Sequence, residues 1–405
     1  MPTLLQINVA ANITSTGRIA EQIGVLAKDA GWISYIAYGR SANKSQSHTI
    51  KIGNKFSVYS HGLESLLLDN HGLCSTVATK KLIRQIEGIK PDVIHLHNLH
   101  GYYINYNELF SFLSKSHIPV VWTLHDCWPY TGHCSHYSDI GCQKWQSQCG
   151  QCPKFHNYPK SLFLDRSTRN YRIKKKCFNS VPNLTLVPVS HWLESELKKS
   201  FLSSHRVHCI LNGVDVEQFK PKENVEGIRN TYGLNGKKVL LGVATAWGPR
   251  KGWNDYVRLS GILPNDYQIV MVGVTEKQAK ELPSNILAIQ RTESIEQLAE
   301  WYSLADIVLN LSDEESFGLT TAEGFACGTP SIVYNCTASP ELITTETGLV
   351  LEKGDMDGLV TAIQNITTNG KQYYSEKCRT RATMLYDKNK NFLGYVQLYN
   401  QLISK

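Results

Sequence analysis

The chain alternates short apolar, β-branched runs with longer amphipathic runs, and it does so in two successive series. In the first, Leu4–Ala10, Ile33–Ala37, Val93–Leu96, Val120–Leu124 and Leu184–Val189 read as strands. Arg18–Ala30, Val77–Ile89 and Leu109–Ser116 read as helices between them. The second series takes Val239–Val243, Gln268–Val272, Ile307–Leu309 and Ser331–Tyr334 as strands, with helices at Asn254–Ser260, Ile295–Ser303 and Thr321–Cys327. Parallel neighbours need a helix-length crossover, so this alternation predicts parallel sheets covered by helices on both faces. Two series predict two doubly wound, Rossmann-like domains, residues 1–212 and 213–387. The break falls at Asn212–Pro221, where an Asn-Gly turn is followed by proline. Residues 388–405 carry Phe392, Tyr395, Val396, Leu398, Tyr399 and Leu402 at the spacing of a helix that closes onto the body. Ligands of open parallel sheets lie beyond the carboxyl ends of the strands, so the expected site is a central cleft that the two domains face.

Composition narrows the class. The 405 residues are 42% hydrophobic and 19% charged, which is ordinary for a globular protein and excludes a disordered chain. No apolar run reaches the length of about 18 residues that a spanning helix needs. The start, MPTLLQINVA, lacks a basic n-region and a cleavable apolar core, so it reads as a first strand and a cytoplasmic protein is expected. Charge is uneven. Residues 1–212 hold 23 Lys+Arg against 12 Asp+Glu, a balance of +11, and the remainder hold 19 against 23, a balance of −4. A basic half suits an anionic membrane face or a solvated surface. Nothing in it resembles a nucleic-acid recognition motif, so no nucleic-acid partner is expected. Eleven cysteines in a long chain without an export signal indicate a reducing compartment.

The densest chemistry lies in LNLSDEESFGLTTAEGFACGTPSIVY. A strand runs into a loop holding Gly318, and a helix starts near Thr320. Backbone N–H groups at a helix start attract phosphate. Glu315 and Glu323 bracket that turn, and carboxylates there suit hydroxyls such as those of a sugar and a ribose. An exposed acidic loop is the competing reading. Upstream, Arg250-Lys251-Gly252 follows the strand VLLGVAT, where two cations can grip a diphosphate.

These segments resemble the GT-B glycosyltransferases of family 4, retaining enzymes that include builders of bacterial capsule, O-antigen and exopolysaccharide. The likeness rests on NGVDVEQFKP, RKGW, ADIVLNLSDEESFGLTTAEGFACGTP, SPELI and ETGLVLEKGD, with PDVIHLHN and PVVWTLHDCWPYTGHC in the first half. The resemblance implies a GT-B fold and transfer of a hexosyl or N-acetylhexosaminyl group from a UDP- or GDP-sugar. The implied acceptor is a glycan, lipid-linked, at the inner face of the cell membrane. It implies that Glu315 meets donor-sugar hydroxyls and Glu323 the ribose. The amides of Phe317, Gly318 and Leu319 then meet sugar and phosphates, and Lys251 with Arg250 neutralises the departing diphosphate. Gly17, on the first loop, lets backbone approach that diphosphate, and His125 stands near the donor sugar. Relatives place a phosphate-binding Arg six residues before the Lys, where this chain has Thr245. Arg250 or a different basic residue is the candidate replacement; Arg18 is a candidate charge at the first loop, or a surface residue at a helix start. Asp126 is a candidate acceptor contact or base, or a turn-stabilising residue. No Asp-x-Asp motif is placed for a diphosphate-bound metal, so catalysis without a divalent ion is expected.

Cys134, Cys142, Cys149 and Cys152 lie in a polar, loop-like stretch, with His133 and His136 as substitutes. They supply four candidate ligands for a structural zinc. Free thiols are the alternative. The Lys174–Lys176 run reads as a solvated helix face, with docking on anionic lipid as a further option, and Cys327 reads as core. A nicotinamide dehydrogenase is excluded, because no Gly-x-Gly-x-x-Gly follows the first strand. A sugar-nucleotide epimerase, a phosphorylase and a non-catalytic nucleotide-sugar-binding partner or sensor stay open as alternatives.

Overall fold

A computed structural model describes residues 1–223 and 225–404. The chain divides into two compact units, one of Met1–Leu211 with the residues from Phe392 onward, the other of Asn212–Asn391.

The first unit holds strands β1 (Thr3–Asn8), β2 (Ile33–Tyr38), β3 (His48–Lys51), β4 (Val93–Leu96), β5 (Val120–Leu124), β6 (Leu184–Pro188) and β7 (Arg206–Val207). They form one sheet in the order β3-β2-β1-β4-β5-β6-β7, and every pairing is parallel. β4, β5 and β6 are buried throughout, as strands covered on both faces must be. β3 and β7 are short edge strands that the apolar pattern does not reveal, because their residues are half-buried or exposed.

The final helix, Lys388–Ile403, brings the chain back to this first unit. Phe392, Tyr395, Val396, Leu398 and Tyr399 pack with Leu4, Ile23, Trp32 and Val93 in one core cluster. Burying each such side chain contributes about 2 kcal/mol. A polar lock sits inside that apolar contact. His95 meets the Tyr399 hydroxyl at 2.6 Å through Nδ1 and the Thr123 hydroxyl at 2.7 Å through Nε2.

The second unit holds β8 (Lys238–Val243), β9 (Tyr267–Val272), β10 (Ile286–Ile289), β11 (Ile307–Asn310), β12 (Ser331–Tyr334) and β13 (Gly348–Leu351). Their order is β10-β9-β8-β11-β12-β13, again all parallel. In both sheets the chain winds outward one way and then restarts on the other side of the first strand. The reversal lies between β1 and β4 in one unit and between β8 and β11 in the other. Loops leaving the carboxyl ends of those pairs diverge and open a crevice, the usual ligand position of this architecture. Among the described residues no helix is long and apolar enough to cross a membrane.

Candidate active site

In the second unit the reversal brings the loop after β8 against the loop after β11. Gly252 makes the approach possible. Its φ is +76°, and a Cβ there would come within 2.4 Å of the Leu311 carbonyl oxygen. Asp313 N–H donates to the Arg250 carbonyl at 2.9 Å, and Arg250 donates from its guanidinium to the Glu314 carbonyl at 3.2 Å. Lys251 Nζ then donates to Glu315 Oε1. Thr337 holds Glu315 from the far side: its hydroxyl accepts from Glu315 N–H and donates to the Glu315 carbonyl, both at 2.8 Å. Burial alone would raise the Glu315 carboxyl, but the Lys251 ammonium, the Ser312 hydroxyl and the Arg250 charge together outweigh it and hold the group below its ordinary value. Glu315 is therefore a carboxylate at neutral pH.

The helix Leu319–Ala326 starts directly after Phe317-Gly318, which turns the chain out of that loop. Gly318, at φ +101°, is its N-cap residue, and neither a side-chain cap nor an acidic residue covers its first turn. An uncapped start of this kind presents N–H groups and a partial positive charge. Glu323 lies one turn into the same helix, where the Tyr302 hydroxyl donates to its Oε2 at 2.7 Å. Arg250, Lys251, Glu315, Phe317, Gly318, Leu319 and Glu323 thus occur in one unit, at one end of one sheet. Thr245 lies exposed in the loop before the Arg250–Lys251 turn. Cys327 is buried core.

The first unit holds His125 directly after β5. A chain of side chains fixes its ring. Gln6 donates from Nε2 to the Ala20 carbonyl at 2.8 Å, which turns its oxygen towards His97 Nε2, 3.0 Å away. His97 Nε2 must then carry the proton, so its Nδ1 accepts from His125 Nε2–H at 3.1 Å. That network assigns the proton of His125 to Nε2 and leaves a lone pair on Nδ1. Burial pushes His125 down to about 4, although the neighbouring Asp126 pulls the other way. Asp126 itself is held down at about 2: burial would raise it, but His100, the His136 charge and the Trp128 N–H together outweigh burial. His100 Nε2 lies 2.7 Å from Asp126 Oδ2, and its Nδ1 lies 3.0 Å from the Tyr158 hydroxyl. The Trp128 N–H donates to Asp126 Oδ1 at 2.9 Å, so Asp126 does cap a turn.

Gly17 departs from the sequence expectation of a loop position. It lies inside the helix Thr14–Asp29, where a Cβ would press on the Ala10 backbone at 3.2 Å. Left-handed backbone at Asn12 and Thr14 shapes the true loop. Arg18 is exposed on that helix.

The Lys174–Lys176 run is corrected in part. Lys174 is 1% exposed, with Nζ donating to the carbonyls of Trp128 (2.7 Å) and Thr131 (3.0 Å) and lying 3.5 Å from the Trp128 ring centre. Burial draws it down to about 7. Lys175 and Lys176 are exposed. Lys174 therefore props the loop after β5 from below. Cys134, Cys142, Cys149 and Cys152 line one small pocket of that loop. Within it Cys134 hydrogen-bonds Cys152, which draws Cys152 down to about 7 and pushes Cys134 up. Cys149 accepts from Gly132 N–H at 3.2 Å. His133 lines the same pocket. Among the described residues the group of metal-capable side chains with ligand atoms all within 4.8 Å of one another is His191, Glu194 and Cys209. Through Nδ1, His133 lies 2.9 Å from the buried Asp69 carboxylate, while its buried Nε2 has no hydrogen-bond partner among the described residues.

Gln6, His97, His100, Tyr158, Tyr302 and Thr337 escape the motif reading. The signal for His97 is present in PDVIHLHN: His95 and His97 stand two apart, hence on one face of a strand. Tyr302 and Thr337 carry no such mark, since each reaches the site from a different element.

Comparison with known proteins decides the family. A model of Glycosyltransferase Family 4 matches residues 39–218, and one of Glycosyl transferases group 1 matches residues 237–369. The chain belongs to the GT-B glycosyltransferases. WcaC of Escherichia coli K12, named for glycosyl transfer in colanic acid biosynthesis, is 32% identical to this GT-B glycosyltransferase over 151 residues, 35% of this chain and 36% of that protein. The chain spans between about a third and a half of the length of the curated relatives it matches. Sucrose-phosphate synthase of Thermosynechococcus elongatus superposes over 100% of both chains, with a TM-score of 0.72 and 17% identity. HepE of Anabaena, solved with UDP and glucose, superposes over 99% of this chain and 100% of its own, with a TM-score of 0.69 and 14% identity. At such identities these likenesses establish the GT-B fold.

Proposed function

We propose that this GT-B glycosyltransferase moves a hexosyl or N-acetylhexosaminyl group, with retention, from a UDP- or GDP-sugar to a glycan acceptor. The acceptor is carried on a lipid diphosphate at the inner face of the cell membrane, in assembly of a bacterial surface polysaccharide. The observation that carries this reading is the Lys251–Glu315 pair beside the uncapped start of the helix Leu319–Ala326. HepE with UDP and glucose, and WcaC by its name, support the donor class and the setting.

Cleaving the bond between the sugar C1 and the phosphate oxygen leaves an oxocarbenium-like sugar and a more negative diphosphate. Lys251, Arg250 and the helix start oppose that growing charge, and preorganised charge of this kind is often the largest catalytic contribution. Glu315 and Glu323 accept from hydroxyls of the sugar and the ribose. In front-face attack the acceptor oxygen bonds C1 while its proton passes to the departing phosphate oxygen. His125 stays neutral, so it adds no positive charge beside the sugar, and its Nδ1 accepts from a sugar hydroxyl. Three positive elements already face the diphosphate, so the reaction proceeds without a divalent ion, and transfer in EDTA tests that point. A structural zinc on Cys134, Cys142, Cys149 and Cys152 would sit in the small pocket that these four line. One zinc per purified chain would support it, and none would dismiss it.

The decisive experiment supplies the donor that binds and a lipid-linked glycan, then reads the new linkage by NMR. Retention with an anomeric configuration equal to that of the donor supports the proposal. An inverted linkage refutes the front-face step, and donor turnover without any acceptor product moves the assignment to a different sugar-nucleotide enzyme.

A further inference from the structure

The helix Lys55–Leu68 is built inside out. Surface helices normally turn their apolar stripe to the core. Here the residues facing the protein are His61 and Ser65, each 1% exposed. His61 docks the helix by polar contacts: its Nδ1 lies 2.8 Å from the Ser75 hydroxyl, and its Nε2 accepts from Gly72 N–H at 3.0 Å. The apolar residues point away. Phe56 is 80% exposed, Tyr59 75%, Leu63 56% and Leu67 37%. They stand at i, i+3, i+7 and i+11, within one side of the helix. An Asn54–Ser57 capping box closes its start, so the helix is formed without help from that face.

Two further observations extend the surface. Leu162 N–H donates to the Leu66 carbonyl at 2.8 Å, which sets the Leu162–Leu164 segment beside the end of the helix. Phe163 in that segment is 73% exposed. At the other end the helix forms a wall of a cavity of about 610 Å³, whose lining includes Arg40, Lys51 and Lys55 and no carboxylate among the described residues. The helix has one acid, Glu64, and it accepts from the Cys74 thiol at 3.0 Å. Large contiguous apolar exposure marks an interaction surface. Aromatic and leucine side chains beside unopposed cations fit the boundary between acyl chains and anionic headgroups. A protein partner would need acids set around its own apolar patch, and a second copy of this chain offers cations there instead.

We propose that this outward face docks the chain on an anionic phospholipid bilayer, with Phe56, Tyr59, Leu63 and Phe163 entering the headgroup boundary and Arg40 and Lys55 meeting lipid phosphates. This gives the proposed lipid-linked acceptor a route to the enzyme, and it moves the membrane contact from Lys174–Lys176 to the helix Lys55–Leu68. The docking itself does not require that the acceptor assignment be right.

The test uses the full chain and vesicles alone, with neither donor nor acceptor. Flotation is compared for phosphatidylcholine vesicles and for vesicles containing phosphatidylglycerol, at low and at physiological salt. Wild-type protein is expected to float with the anionic vesicles and to partition at least tenfold less onto phosphatidylcholine. The double variant Phe56→Ser/Leu63→Ser should lose partitioning at least tenfold while keeping its melting temperature. Arg40→Gln/Lys55→Gln should lose it severalfold, and more at low salt than at high. No flotation of wild type, or flotation unchanged in the serine variant, overturns the proposal. So does a concentration-dependent dimer in sedimentation velocity that the serine variant abolishes, since a second copy would then cover the face. Nucleotide binding, read separately on the same samples, reports on the transferase assignment independently.

Discussion

His97 hands its one acceptor nitrogen to His125: Nδ1 of the first lies 3.1 Å from Nε2 of the second, and Gln6 fixes which nitrogen of His97 is protonated. The ring beside the proposed donor sugar is thereby set by a residue two strands away in the sheet order, β1 carrying Gln6, and by a strand end, β4, carrying the accepting histidine. His97→Phe should leave His125 untethered and lower kcat by about 10- to 100-fold, since small misplacements at a reacting centre carry penalties of that size. His97→Gln, which can still accept, should recover part of the loss. Steady-state kinetics of the pair checks this, and equal activity of both variants with wild type would remove the positioning role.

The same histidine brings a pH dependence of stability. His125 and His61 both stand at about 4 in the folded chain against 6.5 for a free histidine, each through burial. Between those values the unfolded chain takes up protons that the folded chain refuses. Stability is therefore full above pH 6.5 and falls as pH drops towards 4, by up to about 3 kcal/mol for each histidine. Denaturant unfolding at pH 7 and pH 4.5 should show the loss, and His61→Gln should reduce it.

Lys251→Ala removes the ammonium that holds Glu315 as a carboxylate against burial. Transfer should fall about 100- to 1,000-fold, the range seen when one preorganised group facing developing charge is deleted. Lys251→Arg should restore a fraction of the rate, and Glu315→Ala should lose transfer while the protein stays folded. Activity at the wild-type level in Lys251→Ala would place the leaving group elsewhere.

Tyr302→Phe tests the ribose contact through its neighbour. It deletes the hydroxyl that donates to Glu323 Oε2 at 2.7 Å. A freed carboxylate costs about 1 kcal/mol in binding, so the nucleotide Kd should rise severalfold with kcat little changed. Titration calorimetry with the free nucleoside diphosphate reads this directly.

Lys174→Met keeps the length of a buried side chain and removes its donors. The carbonyls of Trp128 and Thr131 lose their ammonium partner. Unfolding free energy should drop by about 2–4 kcal/mol, one desolvated carbonyl accounting for 1–3. Chemical denaturation measures it, and a change below 0.5 kcal/mol would show that the loop does not depend on this lysine.

Much of the frame is legible because buried parallel strands are continuous apolar runs. β4 and β5 occur at the residues their composition marks, and the helix expected at Ile295–Ser303 is Ile295–Leu304. β3 and β7 escape because they are half-buried or exposed and carry mixed residues, and β10 and β13 because each is only a four-residue edge run, too short for its apolar pattern to stand out. The helix Lys55–Leu68 escapes for the opposite reason: its apolar stripe faces outward and its docking face is a histidine and a serine. In the site, the motif string brings Lys251, Glu315, Gly318 and Glu323 to the end of one sheet because all of them ride on adjacent strands, β8 and β11. Gly17 lies in the helix and not on the loop because the helix starts at Thr14, four residues before the expected Arg18, and Asn12 and Thr14, which are not glycines, take the left-handed turn. Tyr302, Thr337 and Gln6 are contributed by separate elements, and only the folded chain shows what they hold.

The most direct test of the account is the melting temperature of the full chain against UDP, GDP, ADP and their common sugars, without added metal. A ligand that binds only the folded state raises it once its concentration exceeds the Kd. The account predicts that one nucleotide family raises it and that Lys251→Ala abolishes the rise. An absent rise at millimolar ligand, or an equal rise in Lys251→Ala, would contradict the donor site described here.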